Sequence, residues 1–269
     1  IGNPKVEVLD VEKFAAIAKA NDIPFVVDGT FTPPAIFKAF QHGVDILIHS
    51  ATNYLGGHGN ALGGIIVDAG TFNWANGKFP SFTQPQDAYH GLVYTEAFGN
   101  LAFLVKARAH VLRDIGTTLS PFNAFLILQG IQTLHIRLDY VSKNALALAE
   151  WLETHPEVEW VSYPLLKSSP DYDRATKYFP KGAGGVLAFG IKGDREKSKA
   201  FINGLELGIH AVNVGDVRTI VTHPASTTHR QTPAEELKAI GISEGFIRIS
   251  VGLENIEDIK ADLDQALRK

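Results

Sequence analysis

The sequence predicts an α/β protein in two parts: a partial large domain on a mainly parallel sheet, then a C-terminal α+β domain on an antiparallel one. Three observations predict it. The runs FVV at Phe25–Val27 and ILI at Ile46–Ile48 are apolar without alternation, as in strands covered on both faces. Helix and strand patterns alternate through the opening hundred or so residues. From Glu157 onward short strands follow one another with helices between them, the pattern of an antiparallel sheet carrying helices on one face.

The first element is a helix over residues 10–21, where Val11, Phe14, Ala15, Ile17 and Ala18 recur at helical spacing behind Asp10 as N-cap. A strand at Pro24–Asp28, a short helix at Ala35–His42 and strands at Asp45–His49 and Gly64–Val67 follow. Residues 70–100, rich in Gly, Asn, Phe, Pro and Tyr, read as a long ordered excursion of the kind that often serves function. Helix resumes at Ala102–Ile115 and breaks at Gly116. Ser120-Pro121 then opens a long helical region through Trp151, with proline in the first turn after a serine cap. Strands are expected at Val158–Tyr163, Gly185–Ile191, Ile209–Val214, Thr219–His223 and Phe246–Val251, with a polar loop after the first. Helices are expected at Lys197–Leu205 and Ile256–Arg268. The division is 1–118 for the large-domain part, 119–150 for a connecting helix and 151–269 for the small domain.

Composition narrows the function. The 269 residues are 45% hydrophobic and 20% charged, and the formal net charge is -4. That charge gives no footprint for nucleic acid and no run of Lys/Arg points to a membrane surface. No apolar run is long enough to span a bilayer, so a cytoplasmic location is the expectation. There are no cysteines, which excludes disulfides, thiolate metal sites and cysteine nucleophiles. Metal ligation by His49, His58, His223 and His229 lacks a recognisable spacing. His223 and His229 read as packed or hydrogen-bonded histidines. A serine hydrolase built on Ser50, Asp28 and a histidine is disfavoured, because the G-x-S-x-G elbow is absent.

The chemistry gathers at two strand ends. Asp28 closes the run IPFVVDGTF, and Ser50, Thr52 and Asn53 close VDILIHSATNYLGGHG. Taken alone, Asp28 caps the turn at Gly29-Thr30, and the hydroxyls satisfy nearby backbone. In extended chain Ser50 and Thr52 would face the same way and could donate to one phosphate. Gly56-Gly57-His58-Gly59 allows positive φ and a close backbone approach.

Together these motifs resemble the pyridoxal-phosphate (PLP) enzymes of cysteine and methionine metabolism. SPFNAFLILQGIQTL (Ser120–Leu134), GAGGVLAFGI (Gly182–Ile191), HPASTTH (His223–His229) and FIRISVGLE (Phe246–Glu254) are similar to further blocks of that family, in family order. The resemblance implies an aspartate-aminotransferase-like fold and PLP as cofactor. By position, Asp28 would meet the pyridine nitrogen, and Ser50 and Thr52 the phosphate. Arg248 would bind the substrate carboxylate, for which a planar bidentate donor is suited, with Thr219 near it. Within the family, the segment Trp74–Gly99 is similar to O-acetylhomoserine sulfhydrylases. That implies O-acetyl-L-homoserine as substrate, with sulfide or a small thiol displacing acetate. It also implies a homo-oligomer, a dimer of dimers with sites between subunits. The open alternatives are a non-catalytic binder of PLP or its amino-acid imine, and a cystathionine or methionine γ-lyase-type enzyme.

Two departures stand against that pattern. Asn53 occupies the position of the family's Schiff-base lysine, and an amide can neither form an imine nor carry a proton between carbons. Lys38 is the nearest lysine in sequence, with nothing in the pattern to bring it to the site. Gly29 stands where asparagine is usual. The chain also opens at Ile1, and the resemblance implies a family N-terminal segment ahead of it that completes the cofactor pocket. On this reading the chain as it stands is inactive.

Overall fold

The computed structural model describes all 269 residues, apart from the side chains of Ala234 and Lys238. Asp10 caps the first helix, Val11–Ala20, by accepting from the backbone N–H of Lys13. Strands β1 (Val26–Asp28), β2 (Ile46–Ser50) and β3 (Gly64–Asp68) form one sheet in that order. β1 runs parallel to β2, and β3 antiparallel to it. The mainly parallel sheet expected from the sequence is therefore reduced to one parallel pair.

The second sheet holds β4 (Val158–Ser162), β5 (Val186–Ile191), β6 (Ile209–His210), β7 (Ile220–Thr222) and β8 (Phe246–Ser250) in the order β4-β5-β8-β7-β6. All its pairings are antiparallel except β6 with β7. The helices Arg195–Gly204 and Ile256–Leu267 and the long helix Leu134–Glu153 bury their apolar faces against it. Leu148, Leu152, Phe189, Phe201, Ile247, Ile249 and Leu263 form the centre of the largest core. Val8, Val11, Phe37 and Leu47 join that same core, so it takes in side chains from both ends of the chain.

Several expectations need correction. The first sheet is not covered on both faces: Val26, Ile48 and Ile65 are 46%, 37% and 45% exposed. Phe14 and Ile17 of the first helix are likewise exposed, so its apolar stripe is only partly used. The helix expected at Ala35–His42 is a single tight turn, Ala39–His42, because Pro33 and Pro34 hold the preceding residues in turns closed on the Pro33 carbonyl. The long helical region is broken at Thr133 into Pro121–Gln132 and Leu134–Glu153. Ile209–Val214 is strand only at its first two residues, after which the chain turns towards the cleft described below. The polar loop after β4 contains a helix, Tyr172–Tyr178, which buries Ala175 and Tyr178 three residues apart. A further short helix, Ala234–Ala239, had no expectation.

The excursion at residues 70–100 is ordered around its own aromatic cluster. Trp74 stacks on Phe103 with centroids 5.2 Å apart, and Phe72, Phe79 and Phe82 pack about it. Tyr94 and Ala102 complete the cluster, fully buried, against Ile46 of β2.

Candidate active site

β1 and β2 end side by side, with Asp28 opposite Ile48 in the register, which puts the polar ends of both strands at one edge of the sheet. The Asp28 carboxylate accepts from the backbone N–H of Thr30 at 2.9 Å, the local cap expected of an aspartate at a strand end. The Thr30 hydroxyl in turn accepts from the backbone N–H of Ser50 at 2.9 Å and ties the two strand ends together. Sequence reasoning did not single out Thr30, and its only signal was its place two residues after Asp28.

A cleft of about 460 Å³ opens over these strand ends. Asp28, Ser50, Asn53 and Arg248 all line it, together with Thr30, Phe31, Val212 and Val214. Four of the six residues singled out from sequence, drawn from three separate segments, thus meet at one cavity. The cleft's polar side chains are of both kinds: a carboxylate, hydroxyls, the two amides of Asn3 and Asn53, and a guanidinium.

Thr52 and Thr219 lie elsewhere. The extended chain stops at Ser50, and residues Ala51–Leu55 form a wide helical turn closed by Gly56 N–H on the Ala51 carbonyl at 2.9 Å. The strand alternation that would have aligned the Ser50 and Thr52 hydroxyls therefore ends between them. Thr52 bonds instead to Gly63, its Oγ1 accepting from that residue's backbone N–H at 3.2 Å. It lines the adjoining concavity, which shares Val212 with the cleft. The Thr219 hydroxyl donates to Glu254 at 2.8 Å and accepts from Gly252 N–H at 3.0 Å, so it is engaged in local bonds just before β7.

Arg248 is 5% exposed on β8. Its guanidinium donates to Asn3 Oδ1 at 2.8 Å and to the Val212 carbonyl at 2.7 Å, while its Nε is buried without a partner. Burial holds its pKa below the ordinary arginine range. His49, next to Ser50 but on the opposite side of the strand, is 3% exposed with neither ring nitrogen bonded. Burial lowers its pKa, opposed by the Gly29 backbone and by Asp28. A Cβ at Gly29 would stand 2.8 Å from His49 Cε1 and 2.9 Å from Leu47 Cδ1, so a larger residue there needs both side chains to shift.

Asn53 sits inside the wide turn with φ -85° and ψ -129°, outside the helical region. Its Nδ2 donates to Asn213 Oδ1 and to the Val214 carbonyl, each at 2.9 Å. Asn213 was not anticipated, and it lies 160 residues away in sequence. The glycine turn takes positive φ at Gly57 (74°) and Gly59 (62°). Gly59 abuts the bidentate Asp216–Arg218 pair, with Asp216 Oδ2 2.5 Å from where a Cβ would be.

Among the described residues no lysine lines the cleft, Lys38 included. The His223 ring is bonded to the Ser226 hydroxyl and the Glu244 carbonyl, and His229 to the Thr228 hydroxyl. No cluster of three potential metal ligands occurs among the described residues. No helix among them is long and apolar enough to cross a membrane.

The donor set fits the non-covalent half of PLP binding. Asp28 offers an acceptor for a ring N–H, Ser50 a donor for a phosphate, and the unpartnered Nε of Arg248 leaves donor capacity for a carboxylate. It does not fit the covalent half, because no lysine side chain lines the cleft.

The family model for "Cys/Met metabolism PLP-dependent enzyme" matches residues 1–268. The chain is 48% identical over 277 aligned residues to O-acetyl-L-homoserine sulfhydrylase of Leptospira meyeri, covering 100% of this chain and 63% of that protein. It is 46% identical to homocysteine synthase of Schizosaccharomyces pombe, covering 99% and 63%. A solved structure from Campylobacter jejuni, assigned as an O-acetylhomoserine (thiol)-lyase and containing N'-pyridoxyl-lysine-5'-monophosphate, superposes with a TM-score of 0.95 at 38% identity. It covers 100% of this chain and 64% of that one. The chain thus spans about 63% of the length of the curated relatives it matches.

Proposed function

Because the chain belongs to the Cys/Met metabolism family of PLP-dependent enzymes, we propose that its parent activity is that of an O-acetyl-L-homoserine sulfhydrylase, lost here at position 53. The parent reaction replaces the γ-acetoxy group by sulfide or a small thiol and gives L-homocysteine in the sulfide case. When bound, PLP supplies an electron-withdrawing ring that stabilises negative charge on carbons next to the substrate nitrogen.

The chain's own groups have distinct tasks in this reading. Asp28 accepts a hydrogen bond from the ring nitrogen, and its charge keeps that nitrogen protonated. Ser50 donates to the phosphate, with Thr52 as the second donor from the adjoining concavity. Arg248 holds the substrate carboxylate at the buried floor of the cleft. Asn53 has no basic atom, so it can neither take the proton from the carbon next to the substrate nitrogen nor return it to a neighbouring one.

The observation that carries the proposal is the junction of Asp28, Ser50 and Arg248 with an amide, and no lysine, at one cleft. The second reading, a protein that binds the cofactor without turnover, is favoured by the anchoring of Asn53 to Asn213 and Val214. The dimer of dimers belongs to the same proposal. It is supported by Phe122, Phe125 and Leu128, exposed at 68%, 56% and 60% along one helix.

The test is homocysteine formation by the purified protein given O-acetyl-L-homoserine, sulfide and PLP. No product above the rate without protein is expected. Turnover at an ordinary enzymatic rate overturns the assignment of Asn53 as the lesion.

A further inference from the structure

The side chain at position 53 has a fixed polarity. Its Nδ2 carries two hydrogens, and both are given away, to Asn213 Oδ1 and to the Val214 carbonyl. The second partner decides the orientation of the amide. A backbone carbonyl can only accept, so the atom facing it must be the nitrogen. The oxygen is then left as the free polar atom of the amide, and Asn53 lines the cleft. Where the family pattern has a cationic nitrogen, this chain offers an acceptor.

We propose that the cleft selects the amine form of the cofactor, pyridoxamine 5'-phosphate, over the aldehyde form, with Asn53 Oδ1 as the group that discriminates. This rests on the reading of the cleft as a PLP-family site. An aldehyde oxygen is an acceptor only and meets another acceptor at Oδ1 unfavourably. A primary ammonium is a donor only and complements it. Among the lining side chains, Asp28 and Arg248 bring opposite charges to the same cleft and offset one another. The choice between the two forms therefore falls to the local hydrogen bond. The loop Val212–Val214 is part of the device, because it consumes the N–H groups that could otherwise have served the aldehyde.

The experiment is titration calorimetry of the purified protein with three probes: pyridoxamine 5'-phosphate, PLP, and 4'-deoxypyridoxine 5'-phosphate, whose methyl group neither donates nor accepts. The amine form is expected to bind about tenfold to a hundredfold more tightly than the other two, the range for one hydrogen bond to a charged group. Equal affinity for all three, or tighter binding of PLP, overturns the inference while leaving the cofactor site in place. Binding of none of them overturns the cofactor reading and the inference with it. The variant Asn53→Leu, checked for folding by its melting curve, is expected to bind the amine and methyl probes equally. A preference that survives this change also overturns the assignment. If that variant does not fold, the comparison of probes on the unmodified protein decides.

Discussion

The hydroxyl of Tyr54 accepts a hydrogen bond from the backbone N–H of Gly185 at 2.8 Å, across 131 residues of chain. Tyr54 follows Asn53 directly, and Gly185 leads into β5. One buried hydroxyl therefore holds the turn of the cleft against the C-terminal sheet. Burial pushes its pKa up to about 12, with the Gly185 N–H and the Arg248 charge pulling the other way.

That shift fixes an alkaline signature. The folded pKa lies above the unfolded value near 10, so the stability is fully present below pH 10. It falls as the unfolded chain ionises and stops falling above about pH 12, a loss of about 3 kcal/mol. Tyr54→Phe is expected to cost about 1–3 kcal/mol at neutral pH, because Gly185 loses its acceptor. It should also lack its share of the alkaline loss, while a remainder persists because burial raises the Tyr163 and Tyr94 hydroxyls as well. Denaturant unfolding of both proteins from pH 8 to 12 checks it, and parallel curves would remove Tyr54 as the source.

Asn53→Lys should restore the covalent chemistry and loosen the structure. With PLP and borohydride, a pyridoxyl group is expected on residue 53 by peptide mass. The lost bonds to Asn213 and Val214 should lower stability by about 1–3 kcal/mol. An unmodified lysine at 53 would mean that the cleft does not hold the cofactor near that position.

Gly130 lies within the Pro121–Gln132 helix, where alanine normally gains about 1 kcal/mol over glycine. Here a Cβ would stand 2.1 Å from the Gly56 carbonyl oxygen and 2.7 Å from that of Leu55. Both are backbone atoms with no freedom to swing aside. Gly130→Ala is expected to destabilise by about 2–4 kcal/mol, by the strain of an overpacked contact. A neutral or stabilising result in denaturant unfolding would refute the close approach.

His49 sets an acid limit. Its pKa is held down in the fold by burial, below the unfolded value of about 6.5. The stability is full above that pH and declines as the pH falls and the unfolded chain takes up the proton. His49→Leu removes two buried ring nitrogens that lack partners. Stability at pH 7.5 should stay within about 1.5 kcal/mol, and the decline between pH 6.5 and 5 should shrink. Part of it should remain, because His223 is shifted down by burial as well. An undiminished decline in His49→Leu would place the acid limit elsewhere.

Much of this was legible in the sequence, because strand-end chemistry is written locally. Asp28 and Ser50 each close an apolar run, and a parallel pairing in register then brings them together without further information. Arg248 reached the cleft through the family pattern alone, since a strand arginine has no local mark of its role. The Thr52 hydroxyl does not align with that of Ser50, because alternation describes strands and the chain had already left the strand at Ala51. Asn213 could not be read, as its only distinction is a partner far away in sequence. The small helix Tyr172–Tyr178 was hidden for a simpler reason. Seven residues with two buried side chains carry too weak a period to outweigh polar neighbours.

The three-stranded sheet has a consequence for how the molecule behaves in a tube. Neither β1 nor β3 has a further strand beside it among the described residues, and Val26, Ile48 and Ile65 face water. Such an edge is a template for another backbone to add to. A second copy could extend the sheet at such an edge, and a net charge of -4 offers little repulsion against it. For this polypeptide, concentration is itself a structural variable.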